Sequence, residues 1–170
     1  MIGSPCPGRC RIAAINGASV GVGLTLVLPF DQILAAKGAK LSCRFVKMGL
    51  VPELASSHFL TIRCGFGAAS WLALSGATVL AEEAKELGLV DRVCEPESLV
   101  DEAMAMADEL AGNPPTQLRL IKQLLTQNAG ETDLAAGQQR EVAALDIATQ
   151  SPEHMEAVAA FLERRTPVFR

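Results

Sequence analysis

Apolar and polar positions change their rhythm along this chain. The front half carries short apolar runs cut by glycine, and the back half carries long helical stripes. Residues 11–15 (RIAAI) form an apolar run ending at Asn16-Gly17, the pattern of a buried strand entering a turn. Residues 21–28 then predict a buried helix opened by glycines. Residues 31–36 (DQILAA) predict a second strand and residues 40–46 a third, short or irregular one. A loop follows over 49–52. Ser56 and Ser57 are placed to cap a helix running to Arg63. Residues 67–74 predict another helix, ended by Ser75-Gly76. Residues 81–87 predict a charged one, closed by Gly88 at C′. Residues 89–93 (LVDRV) read as a strand.

The remainder is helical. Residues 98–111 place Leu99, Ala103, Met106 and Leu110 on one stripe. Asn113-Pro114-Pro115 stops that helix and starts the next, which carries Leu118, Ile121, Lys122 and Leu125. Two more helices follow over 134–150 and 152–164, the second with Pro152 at N1 behind Ser151 as N-cap. This order predicts an α/β unit over 11–112 and a helical region over 113–170, with residues 1–10 as an irregular leader.

Composition narrows the class. The chain has 170 residues, 49% of them hydrophobic, with a net charge of −4. That excludes disorder and argues against a nucleic-acid surface. The apolar content exceeds the need of one small core, so part of it is expected to cover a subunit or a ligand channel. The longest apolar stretch, residues 20–30, is too short for a hydrocarbon layer of ~30 Å, so no membrane span is expected. The five cysteines form no CxxC pair, which fits reduced thiols in a cytoplasmic protein. With two histidines there is no zinc ligand set, and no metal is expected.

Two places invite chemistry. Gly21-Val22-Gly23 fails as a dinucleotide fingerprint because Leu26 stands where the third glycine belongs. It has two other uses. It can aim the Val22 N–H at a developing oxyanion, or it can simply allow close helix packing. The second place is Glu53, the one carboxylate in the stretch from Met48 to Ser57, with apolar surroundings. An apolar surround strengthens a carboxylate as a base near neutral pH; the alternative is a carboxylate satisfied at a helix N-terminus. His58 reads as an ordinary helix residue, and Glu82 and Glu83 as a solvated helix face.

The segments Ile12–Asp31 and Phe45–Leu60 together resemble the enoyl-CoA hydratase/isomerase, or crotonase, family. So do the run from Ser75-Gly76 through Ala81-Glu82-Glu83-Ala84 to Gly88-Leu89-Val90, the Asn113-Pro114-Pro115…Lys122 pattern, and the closing Phe161-Leu162-Glu163-Arg164-Arg165. The likeness covers residues 11–170. It implies repeated ββα units that build a spiral of two roughly perpendicular sheets, with a C-terminal helical layer. It also implies homotrimers or hexamers, acyl-CoA thioester substrates, and no cofactor beyond the coenzyme A of the substrate. Two backbone N–H groups form the family's oxyanion hole, and one of them maps to Val22. Gly21, Val22, Pro52 and Leu54 are then expected to line the substrate.

The resemblance also sorts the branches. Hydratases of the family use two glutamates, and their positions here hold Thr25 and the pair Arg44-Phe45. The Δ3-Δ2-enoyl-CoA isomerases use one Glu or Asp in a GL-x-P-[ED]-x-x-x-S stretch. Glu53 falls on it, with Pro52 before and Ser56-Ser57 after. The expected activity is therefore conversion of a 3-enoyl-CoA to the 2-trans isomer by one carboxylate. The family's earlier ββα units, with its other oxyanion donor, have no counterpart in residues 1–10. A non-catalytic crotonase-like interaction protein is therefore the second expectation.

Overall fold

The computed structural model describes residues 9–169. The leader expected over 1–10 thus lies outside the described residues except for Arg9 and Cys10. The chain forms two units, one of residues 11–107 and one of 108–170 with the segment before Arg11.

The first unit is built from strands that alternate between two sheets. One sheet has the order β1-β3-β6 and the other β2-β4-β5. β1 is Ile12–Ile15, β2 Ser19–Val20 and β3 Gln32–Ala36; β4 is Lys40–Ser42, β5 Thr78–Leu80 and β6 Arg92–Cys94. β1 pairs with β3 in parallel from Ile12↔Gln32 to Ile15↔Ala35, and β3 pairs with β6 in parallel. β2 runs parallel to β4, and β5 returns antiparallel to it. The first two passes of the chain each give one strand to each sheet before a helix; in the third, α3 lies between β5 and β6.

β3 is covered on both faces, as its near-continuous apolar run requires. Ile33 and Ala35 enter the main core with Leu24, Leu41, Leu60 and Leu72. Leu34 and Ala36 enter a second cluster with Cys94 and Leu99, against which Ala103 and Met106 pack. The stripe expected on the helix after Ser98 thus has its target. Complete burial of each such leucine contributes roughly 1.5–3 kcal/mol.

The helices of this unit are α1 (Val22–Thr25), α2 (Ser56–Ser75), α3 (Ala81–Glu86) and α4 (Leu99–Ala111). Several differ from the pattern in the sequence. The helix expected over 21–28 is only Val22–Thr25, because turns take over before Pro29. The strand expected over 40–46 stops at Ser42, and a 3₁₀ helix, Arg44–Met48, follows it to a left-handed Gly49. Residues 89–93 are not one strand: Leu89 and Val90 are core residues of the turn, and β6 begins at Arg92. Ser56 and Ser57 do not cap α2. Its N-cap is Ala55, in the left-handed region, with no side-chain cap. The two helices expected on either side of residue 65 do meet at a kink, where Gly65 takes the non-helical φ 71° and ψ 166°.

The second unit holds α5 (Pro115–Asn128), α6 (Leu134–Thr149) and α7 (Pro152–Glu163). The Asp133 carboxylate caps α6, accepting from the Ala135 and Ala136 N–H groups. Ser151 caps α7 as expected, its Oγ accepting from the His154 N–H. Lys122 Nζ donates to the Arg9 carbonyl. No helix among the described residues is long and apolar enough to cross a membrane.

Candidate active site

Val22 opens α1 directly after β2. Gly21 takes φ 57° and ψ −122°, a backbone region for glycine, and this turns the chain from strand to helix. The Gly21 N–H donates to the Ser42 carbonyl at 2.9 Å, which ties the turn to β4. The Gly21 carbonyl accepts from the Leu24 and Thr25 N–H groups at 3.0 Å each. The N–H groups of Val22 and Gly23 lie in the first turn, where helix geometry offers no intrahelical acceptor. Val22 is 47% exposed, so this end of the helix is open to a ligand. The arrangement can present a fixed donor to an oxyanion.

Glu53 hangs from the same strand. β4 runs into the 3₁₀ helix, and the chain then crosses Leu50–Pro52 to reach Glu53 just before α2. The Glu53 carbonyl accepts from the Ser56 N–H at 2.8 Å. Leu54 and Ala55 follow with φ of 53° and 57°. Two successive non-glycine residues in the left-handed region cost about 1–2 kcal/mol each, and such strain clusters at functional sites. It fixes the direction in which the chain leaves Glu53. Pro52 is exposed and Leu54 half-buried.

The apolar enclosure expected around Glu53 is not supplied by this chain. The residue is exposed, and so are its sequence neighbours Leu50 and Val51. They extend into the loop away from the core formed by β4 and α2. No hydrogen bond among the described residues links the Glu53 carboxylate to α1. The two candidate groups thus share β4 as their frame without a hydrogen bond between them.

The two positions that would carry hydratase glutamates are not acidic, and both are buried. Thr25 donates from Oγ1 to the Val22 carbonyl at 3.3 Å, and Phe45 lies in the interior with its ring out of water. Ser56 is fully buried, and its Oγ has no partner. Among the described residues no group of three His, Cys, Asp or Glu is placed to hold a metal ion. Burial pushes the Cys43 and Cys64 thiols up to about 11, so both are poor nucleophiles at neutral pH.

One group in this unit escaped the sequence pattern. Arg63 lies on α2, and its side chain is 12% exposed. Its Nε donates to the Leu28 carbonyl at 2.8 Å and its Nη2 to the Phe30 carbonyl. Its Nη1 meets Asp91 Oδ2 at 3.1 Å. These partners are about 30 residues away in either direction, so no local motif announces them.

Known proteins share this arrangement. The family described as enoyl-CoA hydratase/isomerase matches residues 9–170. The 1,2-epoxyphenylacetyl-CoA isomerase of Escherichia coli (strain K12) is 38% identical over 165 residues, 93% of this chain and 60% of that protein. The 2,3-dehydroadipyl-CoA hydratase of the same organism is 33% identical over 161 residues, 94% of this chain and 62% of that one. The crystal structure of an enoyl-CoA hydratase from Bacillus anthracis superposes with a TM-score of 0.93 at 32% identity. It covers 97% of this chain and 64% of that one. The chain spans about three fifths of the length of the curated relatives it matches. The alternation of strands between two sheets, followed by helices, is thus the expected crotonase fold. With its glycine turn, its loop carboxylate and its helical end all inside the matched stretch, the chain belongs to the enoyl-CoA hydratase/isomerase family.

Proposed function

We propose that this chain acts on acyl-CoA thioesters as an isomerase, moving the double bond of a 3-enoyl-CoA to the 2-trans position. The observation that carries this reading is the count of carboxylates. Within residues 19–30 and 40–58, which hold the glycine turn and the loop before α2, Glu53 is the only one. Water addition needs one group to activate water and another to protonate the α-carbon. A double-bond shift needs only one group, used twice. Glu53 takes a proton from C2; the C2–H pair forms a C1=C2 bond as the carbonyl π pair moves onto the thioester oxygen. The dienolate then re-forms the carbonyl, its C1=C2 pair becomes the C2=C3 bond, and the C3=C4 pair takes the proton back at C4. The Val22 N–H supports the negative charge on that oxygen. Gly21 sets the direction of that donor, and Pro52 and Leu54 flank the base.

Coenzyme A enters as part of the substrate, and the steps above use no further cofactor. Assembly as a homotrimer or hexamer belongs to the same proposal. The exposed Met48, Leu50, Val51 and Phe66 offer apolar surface that a neighbouring subunit would cover, which would also enclose Glu53.

The test is conversion of a 3-enoyl-CoA by the full chain and by Glu53→Gln, alongside water addition to a 2-trans-enoyl-CoA. The expected result is isomerisation that Glu53→Gln abolishes, with no hydration. Equal rates for the two proteins remove Glu53 from the chemistry. Hydration by the wild type overturns the one-carboxylate argument. Silence in both assays favours the non-catalytic interaction protein.

A further inference from the structure

We infer that Arg63 is a positioning residue that sets the Val22 oxyanion donor relative to the Glu53 segment. This rests on the isomerase reading for its catalytic consequence, and on the hydrogen bonds themselves for its structural one.

α1 is a single turn, too short to hold its own direction, since helix nucleation is unfavourable. It is therefore fixed from outside at both ends. At its start the Gly21 N–H is bound to the Ser42 carbonyl. Past its end, the carbonyls of Leu28 and Phe30 are both taken by the Arg63 guanidinium. The third arm of the same fork binds Asp91, with Nη1 at 3.3 Å from Oδ1 and 3.1 Å from Oδ2. Asp91 Oδ2 in turn accepts from the Ile33 N–H at 2.6 Å, so the carboxylate is held by β3, the strand that follows Phe30.

The other end of Arg63 is equally constrained. Arg63 lies seven residues into α2 from Ser56, two turns along the helix whose N-cap is two residues past Glu53. Its backbone carbonyl is packed against Gly88, where an added Cβ would come to 2.8 Å. Gly88 has φ 80°, so the turn after α3 can pass this close only as glycine. One guanidinium thus joins the segment that carries the donor to the helix that begins behind the carboxylate. A planar fork with five donors meets three acceptors in fixed directions, which an ammonium cannot reproduce. A displacement of 1 Å in a reacting geometry can lower a rate by about 10²-fold. The loss should fall on kcat, because the Arg63 guanidinium is 12% exposed and is spent on acceptors of the chain itself.

The experiment compares wild type, Arg63→Lys, Arg63→Ala and Asp91→Asn by three measurements: steady-state turnover of a 3-enoyl-CoA, thermal unfolding, and amide hydrogen exchange. Arg63→Lys should lose about 10- to 100-fold in kcat while KM stays within about twofold. Added methylguanidinium should restore part of the turnover of Arg63→Ala. Asp91→Asn keeps an acceptor for the Ile33 N–H and should give a smaller loss of the same kind, which serves if Arg63→Ala does not fold. Exchange should quicken at the Leu24–Phe30 amides and stay slow in β3. Wild-type kcat in Arg63→Lys, or a loss carried by KM, overturns the inference and leaves the isomerase reading intact. If the wild type does not turn over, the isomerase reading fails and exchange alone decides. Unchanged protection of Leu24–Phe30 in Arg63→Lys overturns the positioning role, and faster exchange there upholds it.

Discussion

Gly21 and Ser42 are joined by a single backbone hydrogen bond of 2.9 Å, and through it both candidate groups depend on one strand. Ser42 is the last residue of β4, and its Oγ donates to the Ala77 carbonyl at 2.8 Å. Any change that rotates Gly21 therefore moves Val22 relative to the strand that leads to Glu53. Gly21→Ala is the direct probe. An added Cβ would meet nothing within 4 Å, so the penalty is conformational and not steric. At φ 57° and ψ −122° it should be about 1–3 kcal/mol. Urea unfolding should show that loss, and turnover should fall further than stability explains. Unchanged stability would mean that the turn tolerates another backbone.

A second prediction concerns the strain beside Glu53. Ala55 is exposed and left-handed, so glycine there removes a penalty of roughly 1–2 kcal/mol. Against this stands the larger freedom of glycine in the unfolded chain, roughly 0.4–1 kcal/mol. Ala55→Gly should therefore stabilise the protein slightly, by up to about 1.6 kcal/mol. A lower denaturation midpoint would show that the methyl group makes a contact worth more than the strain.

Much of this was legible in the sequence, and the exceptions have physical reasons. β1 and β3 announce themselves as unbroken apolar runs, and the helix from Leu99 by its apolar stripe. β2 and β5 have two and three residues, too few to show an alternation, and they exist because β4 lies between them. The glycine turn at Gly21 was visible because only glycine enters that backbone region freely. The left-handed pair at Leu54 and Ala55 was not, since neither side chain favours it. The openness of Glu53 is hidden for a related reason. Apolar neighbours in sequence suggest enclosure, but Leu50 and Val51 lie in a loop that turns outward. Arg63 shows in the sequence only as the end of a helix, because carbonyls that lie far off in sequence carry no side-chain signal.

A third prediction follows from the end of the chain. The Arg165 guanidinium beside Glu156 holds that carboxyl at about 2, and the Val168 N–H adds to the effect. Arg165 Nη1 lies 2.6 Å from Oε1. A carboxyl held low when folded binds fewer protons than the unfolded chain does. Its contribution is therefore present above the ordinary carboxylate range and lost as pH falls from about 4.5 toward 2. Protection of the Val168 amide, taken relative to its intrinsic exchange rate at each pH, should fall across that window. Glu156→Gln should remove the pH dependence, and a wild-type profile in that variant would assign the effect to another group.

The proposed oxyanion donor can be tested by itself. Val22→Pro removes one N–H and little else. Val22 is the first residue of α1, where the missing N–H breaks no intrahelical bond and the fixed φ of proline suits the helix. The residue before it is glycine in an extended-like mirror region, which leaves room for the proline ring. Half of the Val22 side chain is already in solvent, so little buried surface is lost. Folding should thus be nearly unchanged, with denaturation midpoints close to wild type. Turnover of a 3-enoyl-CoA should fall by about 10²–10³-fold, the usual effect of deleting one oxyanion donor. The substitution separates the two uses of the glycine turn. If the small residues serve only helix packing, Val22→Pro will fold and keep its rate. If the turn aims a donor, the protein will fold and lose it.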